Sequence, residues 1–267
     1  MLRDMGSATG RTITRPVEVW PAALALAAAA GAWLVTAGRM AGMDAGPGTD
    51  LGAAGWFFGV WVTMMAAMML PSLVPMVTAH ARGRTANPTG TSVLFVTGYL
   101  VAWGAAGLLG FAVDQAARSL DLHFLAWETG GRYVAAGVIL GAAVYQVTRP
   151  KETCLRRCRD ASALRRHHPG PLGALRTGIE HGAFCVGCCW ALMAALFALG
   201  VMSLAWMAVI AAMIAAEKLL PWKAIASRGV AVVLVVLAVA VALVPDAMPG
   251  LTVPGGPMND SAMESMR

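Results

Sequence analysis

The chain has 267 residues, of which 58% are hydrophobic and 13% charged, with a formal net charge of +6. About a quarter of an average soluble domain is charged, so this composition excludes an ordinary soluble fold. The basic excess raises the question of nucleic acid, but the distribution of charge described below answers it.

Apolar runs set the architecture. Seven stand out, at about 20–38, 54–79, 91–113, 132–149, 182–200, 204–220 and 228–245. About 20 apolar residues cross the hydrocarbon of a bilayer. The expected fold is therefore all-α, a polytopic transmembrane helix bundle of about seven spans. Residues 1–19 form an amino-terminal tail, 20–245 the transmembrane domain with a basic loop at about 150–180, and 246–267 a flexible, Met-containing tail. Residues 1–37 also resemble a long signal sequence. The run has signal-anchor length and no convincing cleavage site, which makes it the first span.

Placing the amino terminus in the cytoplasm puts 16 of the 20 Lys and Arg residues inside, including Arg3, Arg11, Arg15, Arg82, Arg84, eight between Arg149 and Arg176, and Lys218, Lys223 and Arg228. Only Arg39, Arg118, Arg132 and Arg267 fall outside. This is the asymmetry of the positive-inside rule, with the carboxy terminus outside and the chain multi-pass in a bacterial inner membrane. A nucleic-acid surface interleaves aromatics with basic residues. The 149–176 stretch has none, so nucleic acid is excluded as a partner.

In chain order, the first outer loop carries Met40 and Met43 beside Asp44. The second span contains Met64-Met65-Ala66-Ala67-Met68-Met69-Leu70-Pro71-Ser72, then Pro75-Met76. At 100° per residue, Met64, Met65, Met68, Met69 and Met76 fall within about 140° of the helix circumference. Pro71 and Pro75 free the carbonyls of Ala67 and Pro71. Thioethers beside freed carbonyls suit a route for a soft cation, and a Met-lined packing face reads the same way. The third span is rich in Gly and Ala, including Gly104, Ala105 and Gly107, which permit close helix contact. The following outer loop holds Asp114, Asp121, His123 and Glu128 without ligand spacing.

Five cysteines follow, all near the inner side, where thiols stay reduced. Cys154 and Cys158 are four apart in an Arg-rich stretch that favours thiolate, with His167 and His168 just beyond. Cys185, Cys188 and Cys189 occupy positions i, i+3 and i+4, which share a helix face. His181 and Met193, four residues to either side of this trio, extend it into a strip of soft and borderline ligands about 18 Å long. Thiolates favour Cu(I) or Zn(II). Buried apolar packing is the plainer reading of the same cysteines. Glu217-Lys218 closes the sixth span, and a carboxylate at membrane depth is an accessory candidate. The last span carries no chemistry. The outer tail adds Met248, Met258, Met263 and Met266.

Four blocks taken together resemble a known family. They are Met64 through Ser72; Cys154-Leu155-Arg156-Arg157-Cys158-Arg159; His181-Gly182 through Cys185, Gly187, Cys188, Cys189 and Trp190; and Ala216-Glu217-Lys218-Leu219-Leu220-Pro221-Trp222. The chain resembles a bacterial family of predicted metal-binding integral membrane proteins, a domain of unknown function whose members are sometimes labelled copper chaperones. It departs from that pattern at Thr148-Arg149-Pro150-Lys151, where the family's proline follows the threonine directly. The resemblance implies a metal-binding membrane protein.

The sequence expectation is a Cu(I)-binding protein, with zinc as the other candidate ion. The metal-ligating set is Cys185, Cys188, Cys189, Cys154, Cys158, His181, Met64, Met65, Met68, Met69, Met76 and Met193, with Glu217 accessory. The partners are the ion, the bilayer, and a cytoplasmic acceptor or periplasmic donor protein. No Walker or acyl-phosphate signature is present, so any transport is expected to be passive, exchange-driven or partner-driven, and the expectation is a protein that is not an enzyme, with redox activity the runner-up. Two alternatives are a membrane thiol-disulfide oxidoreductase, from the Cys185-Val186-Gly187-Cys188 pair, and a structural subunit without metal.

Overall fold

The computed structural model describes residues 20–40, 52–82, 88–119, 130–162, 170–201 and 203–245. The tails 1–19 and 246–267, Met43 and Asp44, His123 and Glu128, and His167 and His168 lie outside the described residues. Among the described residues eight helices run in order: α1 Trp20–Met40, α2 Ala54–Arg82, α3 Pro88–Ser119, α4 Arg132–Gln146, α5 Arg149–Arg159, α6 Pro171–Leu199, α7 Leu204–Leu219 and α8 Lys223–Leu243. There is no strand among the described residues.

Seven of these helices coincide with the seven apolar runs. Five of them, α1, α2, α3, α6 and α8, are long and apolar enough to cross a membrane. The other two, α4 and α7, have 15 and 16 residues. Local chemistry stops both. The residue before a proline is pushed out of helical backbone, and Leu220 precedes Pro221 with extended φ/ψ at the end of α7. Thr148 breaks the chain after α4 in the same extended conformation, and Pro150 restarts it in the first turn of α5.

The eighth helix, α5, lies within the stretch expected to be a loop. Its Glu152 sits in the first turn and Arg156, Arg157 and Arg159 in the last, which complements the helix dipole. Lys151, Leu155 and Cys158 form its buried face, at the i, i+4, i+7 spacing of an amphipathic helix. The fifth apolar run is likewise part of a longer helix, since α6 starts at Pro171 rather than near 182.

α6 is the hub, packing against α3, α4, α5 and α7, while α1 flanks α2 and α8 flanks α4. Contact between α3 and α6 depends on missing side chains. A Cβ at Gly98 would collide with the Leu175 carbonyl, one at Gly178 with the Phe95 carbonyl, and one at Gly182 with Ala102. Further along α3, a Cβ at Gly107 would enter the Trp61 indole, whose Nε1 donates to the Trp103 carbonyl at 2.8 Å. Gly200, at φ 108°, makes the turn from α6, and Ser203 caps α7 by accepting from the Trp206 amide. Pro71 and Pro75 lie inside α2, which continues through both. The outer surface of α1, α3 and α8 exposes Leu34, Leu109, Val232, Val236 and Leu243, apolar groups in the pattern a bilayer accepts.

Candidate metal centre

The i, i+3, i+4 cysteines of α6 point inward, and Cys185, Cys188 and Cys189 are each 1% exposed or less. The buried face of α5 adds Cys158. The Sγ atoms of Cys158, Cys185 and Cys188 all lie within 4.8 Å of one another. Cys188 Sγ stands 3.4 Å from Cys189 Sγ and donates to the Cys185 carbonyl at 3.2 Å. All five cysteines are free thiols. Metal–thiolate bonds of about 2.3 Å place the sulfurs of one site roughly 3.8–4.6 Å apart. The three-thiol group fits a single soft ion with little rearrangement.

Tyr99 of α3 meets Cys185, with its hydroxyl 3.0 Å from Sγ. The Lys218 ammonium of α7 donates to Cys185 Sγ at 2.9 Å, to Ser72 Oγ at 3.3 Å and to Met69 Sδ at 3.9 Å. The methionine stripe of α2 and the thiols of α6 thus approach the same ammonium from two sides.

A second buried contact lies one residue away. Lys151 of α5 donates to Glu217 of α7 at 2.7 Å, and both side chains are 1% exposed. Arg159 donates to the Glu217 and Leu220 carbonyls at 2.6 and 2.5 Å. These bonds hold α5, and with it Cys158, against the bundle. The arginines expected to lower the α5 thiols do not do so for Cys158. Hydrogen bonding to Cys185 and burial raise this thiol well above its ordinary range. Arg156 and Arg157 are exposed on the opposite face, paired with Glu152 and stacked over Phe184.

The remaining residues singled out in the sequence are distributed around this group. Cys154 is half-buried and packs at Gly187, where a Cβ would stand 2.9 Å from its Sγ. His181 is buried, with its ring against Phe95 and Tyr99. Met64, Met65, Met68, Met76 and Met193 are buried in the core, and Met69 is the one that shares Lys218 with Cys185. Glu217 is committed to Lys151.

Sequence reasoning missed Tyr99, Ser72, Lys151 and the placement of Lys218. Tyr99 is a lone phenol in an apolar span, a placement that usually requires a partner for its hydroxyl. Glu217-Lys218 read as an interfacial pair, but a charge that close to an apolar run has a second outlet in the bundle interior.

A family profile described as PpoB2, copper chaperone, matches residues 58–241, most of the helical bundle and every residue of the centre. No curated protein and no solved structure matches the chain. The chain belongs to the copper chaperone family.

Proposed function

We propose that this protein is a multi-pass inner-membrane carrier that binds Cu(I) through Cys158, Cys185 and Cys188, with Cys189 adjacent, and hands the ion to or from a partner protein. The observation that supports it most is the convergence of three buried thiols from two helices within 4.8 Å. The donor set is chemically selective. Thiols suit soft Cu(I), and no carboxylate or imidazole enters the three-residue group among the described residues. Met69 stands next to it across Lys218, so a thioether site leads into a thiol site. Thioethers hold Cu(I) more weakly than thiolates, and movement from the methionine stripe of α2 to the cysteines of α6 is therefore downhill. The positive-inside distribution of Lys and Arg supports a cytoplasmic location for α5 and an amino terminus on the same side. α5, whose buried face carries Cys158, then lies on the side of a cytoplasmic acceptor. The ion is cargo, and no bond of a substrate is made or broken.

The test is metal analysis of protein purified anaerobically in detergent under reducing conditions. Copper bound at about one ion per chain, and lost when Cys185, Cys188 and Cys189 are together replaced by Ser, supports the reading. Zinc in place of copper would change the ion but keep the site. No metal, together with a mixed disulfide trapped at Cys185 or Cys188, would favour the oxidoreductase. No metal and slow thiol labelling would leave a structural subunit.

A further inference from the structure

Lys218 is the feature of the centre that holding a metal ion does not by itself require. An ammonium has three N–H donors and no acceptor. Here they meet three acceptors from two other helices: Cys185 Sγ of α6, and Ser72 Oγ and Met69 Sδ of α2. Ser72 Oγ donates in turn to the Met69 carbonyl at 2.9 Å, which leaves its lone pairs to accept from Lys218. The adjacent carboxylate, Glu217, is engaged by Lys151. A positive charge therefore occupies the seam between Met69 of the stripe and Cys185 of the trio, at a distance from sulfur that an incoming ion would contest.

We propose that Lys218 is a tethered competing cation, which an entering metal ion must push aside and which thereby sets the preference of the site for a monovalent ion. This inference rests on the metal-binding reading above and adds the determinant of selectivity. Coulomb repulsion grows in proportion to the charge of the incoming ion. A Cu(I) ion replaces one positive charge at the sulfur with another. A Zn(II) ion brings two charges against the same ammonium inside an apolar bundle, where screening by salt is weak. The lysine has somewhere to go. Its stem is flexible, and it lies one residue before Leu219 and Leu220, both exposed at the end of α7, so the head can swing outward along the stem.

The experiment measures Cu(I) and Zn(II) affinities by competition with chromogenic chelators. It uses the full chain in detergent, at one pH and under anaerobic reducing conditions. Lys218→Leu removes the charge and keeps an apolar stem. It is expected to bind Zn(II) at least about tenfold more tightly than wild type, with a smaller gain for Cu(I), so that the Cu(I) preference narrows. Lys218→Arg keeps the charge and is expected to keep the wild-type preference. Equal factors for both ions in Lys218→Leu, or loss of both, would overturn the inference, since a lysine that merely organises the site does not discriminate by charge. If Lys218→Leu does not fold, Lys218→Arg still decides: a collapse of the preference with charge retained contradicts the proposal. Binding by wild type that survives Ser at Cys158, Cys185 and Cys188 would instead defeat the metal-site reading itself, a separate outcome.

Discussion

Lys151 and Glu217 form an ion pair at 2.7 Å, with both side chains 1% exposed. It joins a short amphipathic helix to the end of a membrane-length bundle. Among the described residues Glu217 Oε1 has no hydrogen-bond partner, so the carboxylate depends on Lys151 through one oxygen. Removing one partner of a buried pair leaves an uncompensated charge and costs about 3–5 kcal/mol, whereas replacing both with apolar residues is often neutral. Lys151→Met alone is therefore expected to lower resistance to denaturing detergent sharply. Adding Glu217→Leu to it should recover most of the loss, read as the midpoint of SDS-induced unfolding.

The same pair positions Cys158, and the thiols of α5 should separate by function. Cys158→Ser removes a member of the three-thiol group and should weaken Cu(I) binding beyond the roughly 10–100-fold range of outer-sphere changes. Cys154→Ser should leave affinity close to wild type, because Cys154 packs on Gly187 outside that group. Chelator competition on the two single variants checks this, and equal losses would contradict it.

Loading should release protons. The Cys158 thiol is held above its ordinary range, so at neutral pH it keeps a proton that a metal must displace. Proton and metal compete over a wide range, and Cu(I) affinity is expected to rise with pH through neutrality. Cys158→Ser should reduce the slope of log affinity against pH by about one.

Tyr99→Phe removes a hydroxyl 3.0 Å from Cys185 Sγ without changing the packing of the ring. Outer partners of metal ligands typically account for about 10–100-fold in affinity. A loss of about tenfold in Cu(I) affinity with unchanged detergent stability is expected.

Spacing between α3 and α6 should show a position dependence. Gly178→Ala and Gly98→Ala drive a methyl into the carbonyls of Phe95 and Leu175 and should separate α3 from α6. That carries Tyr99 away from Cys185. Gly110→Ala meets nothing within 4 Å and should stabilise the helix by about 0.5–1 kcal/mol. Monodispersity on size exclusion separates the two outcomes.

The sequence disclosed most of the helices because apolar runs and helical spacing survive in any context. The thioether stripe and the three α6 cysteines could be placed on helix faces from residue numbers alone. α5 was hidden for a physical reason: its inward face is Lys151, Leu155 and Cys158, and a buried lysine makes that face read as polar. The early start of α6 was masked by Arg176, Glu180 and several glycines, which dilute hydropathy while serving helix contact at Gly178 and Gly182. His181 falls on the helix of the three cysteines and Cys154 in the stretch expected to be a loop, and a strip along one helix does not reveal which neighbour covers each position. Phe95 and Tyr99 cover His181, and Gly187 receives Cys154. Lys218 and Tyr99 could not be assigned from sequence, because their partners are residues 33 and 86 positions away.

The most direct measurement is X-ray absorption at the copper edge of protein loaded with one equivalent of Cu(I). A first shell of two or three sulfurs at about 2.3 Å, lost in the Cys158→Ser, Cys185→Ser, Cys188→Ser variant, is the predicted result. A first shell of nitrogen or oxygen, or a spectrum unaltered by those three substitutions, would contradict the assignment of the ion to these thiols.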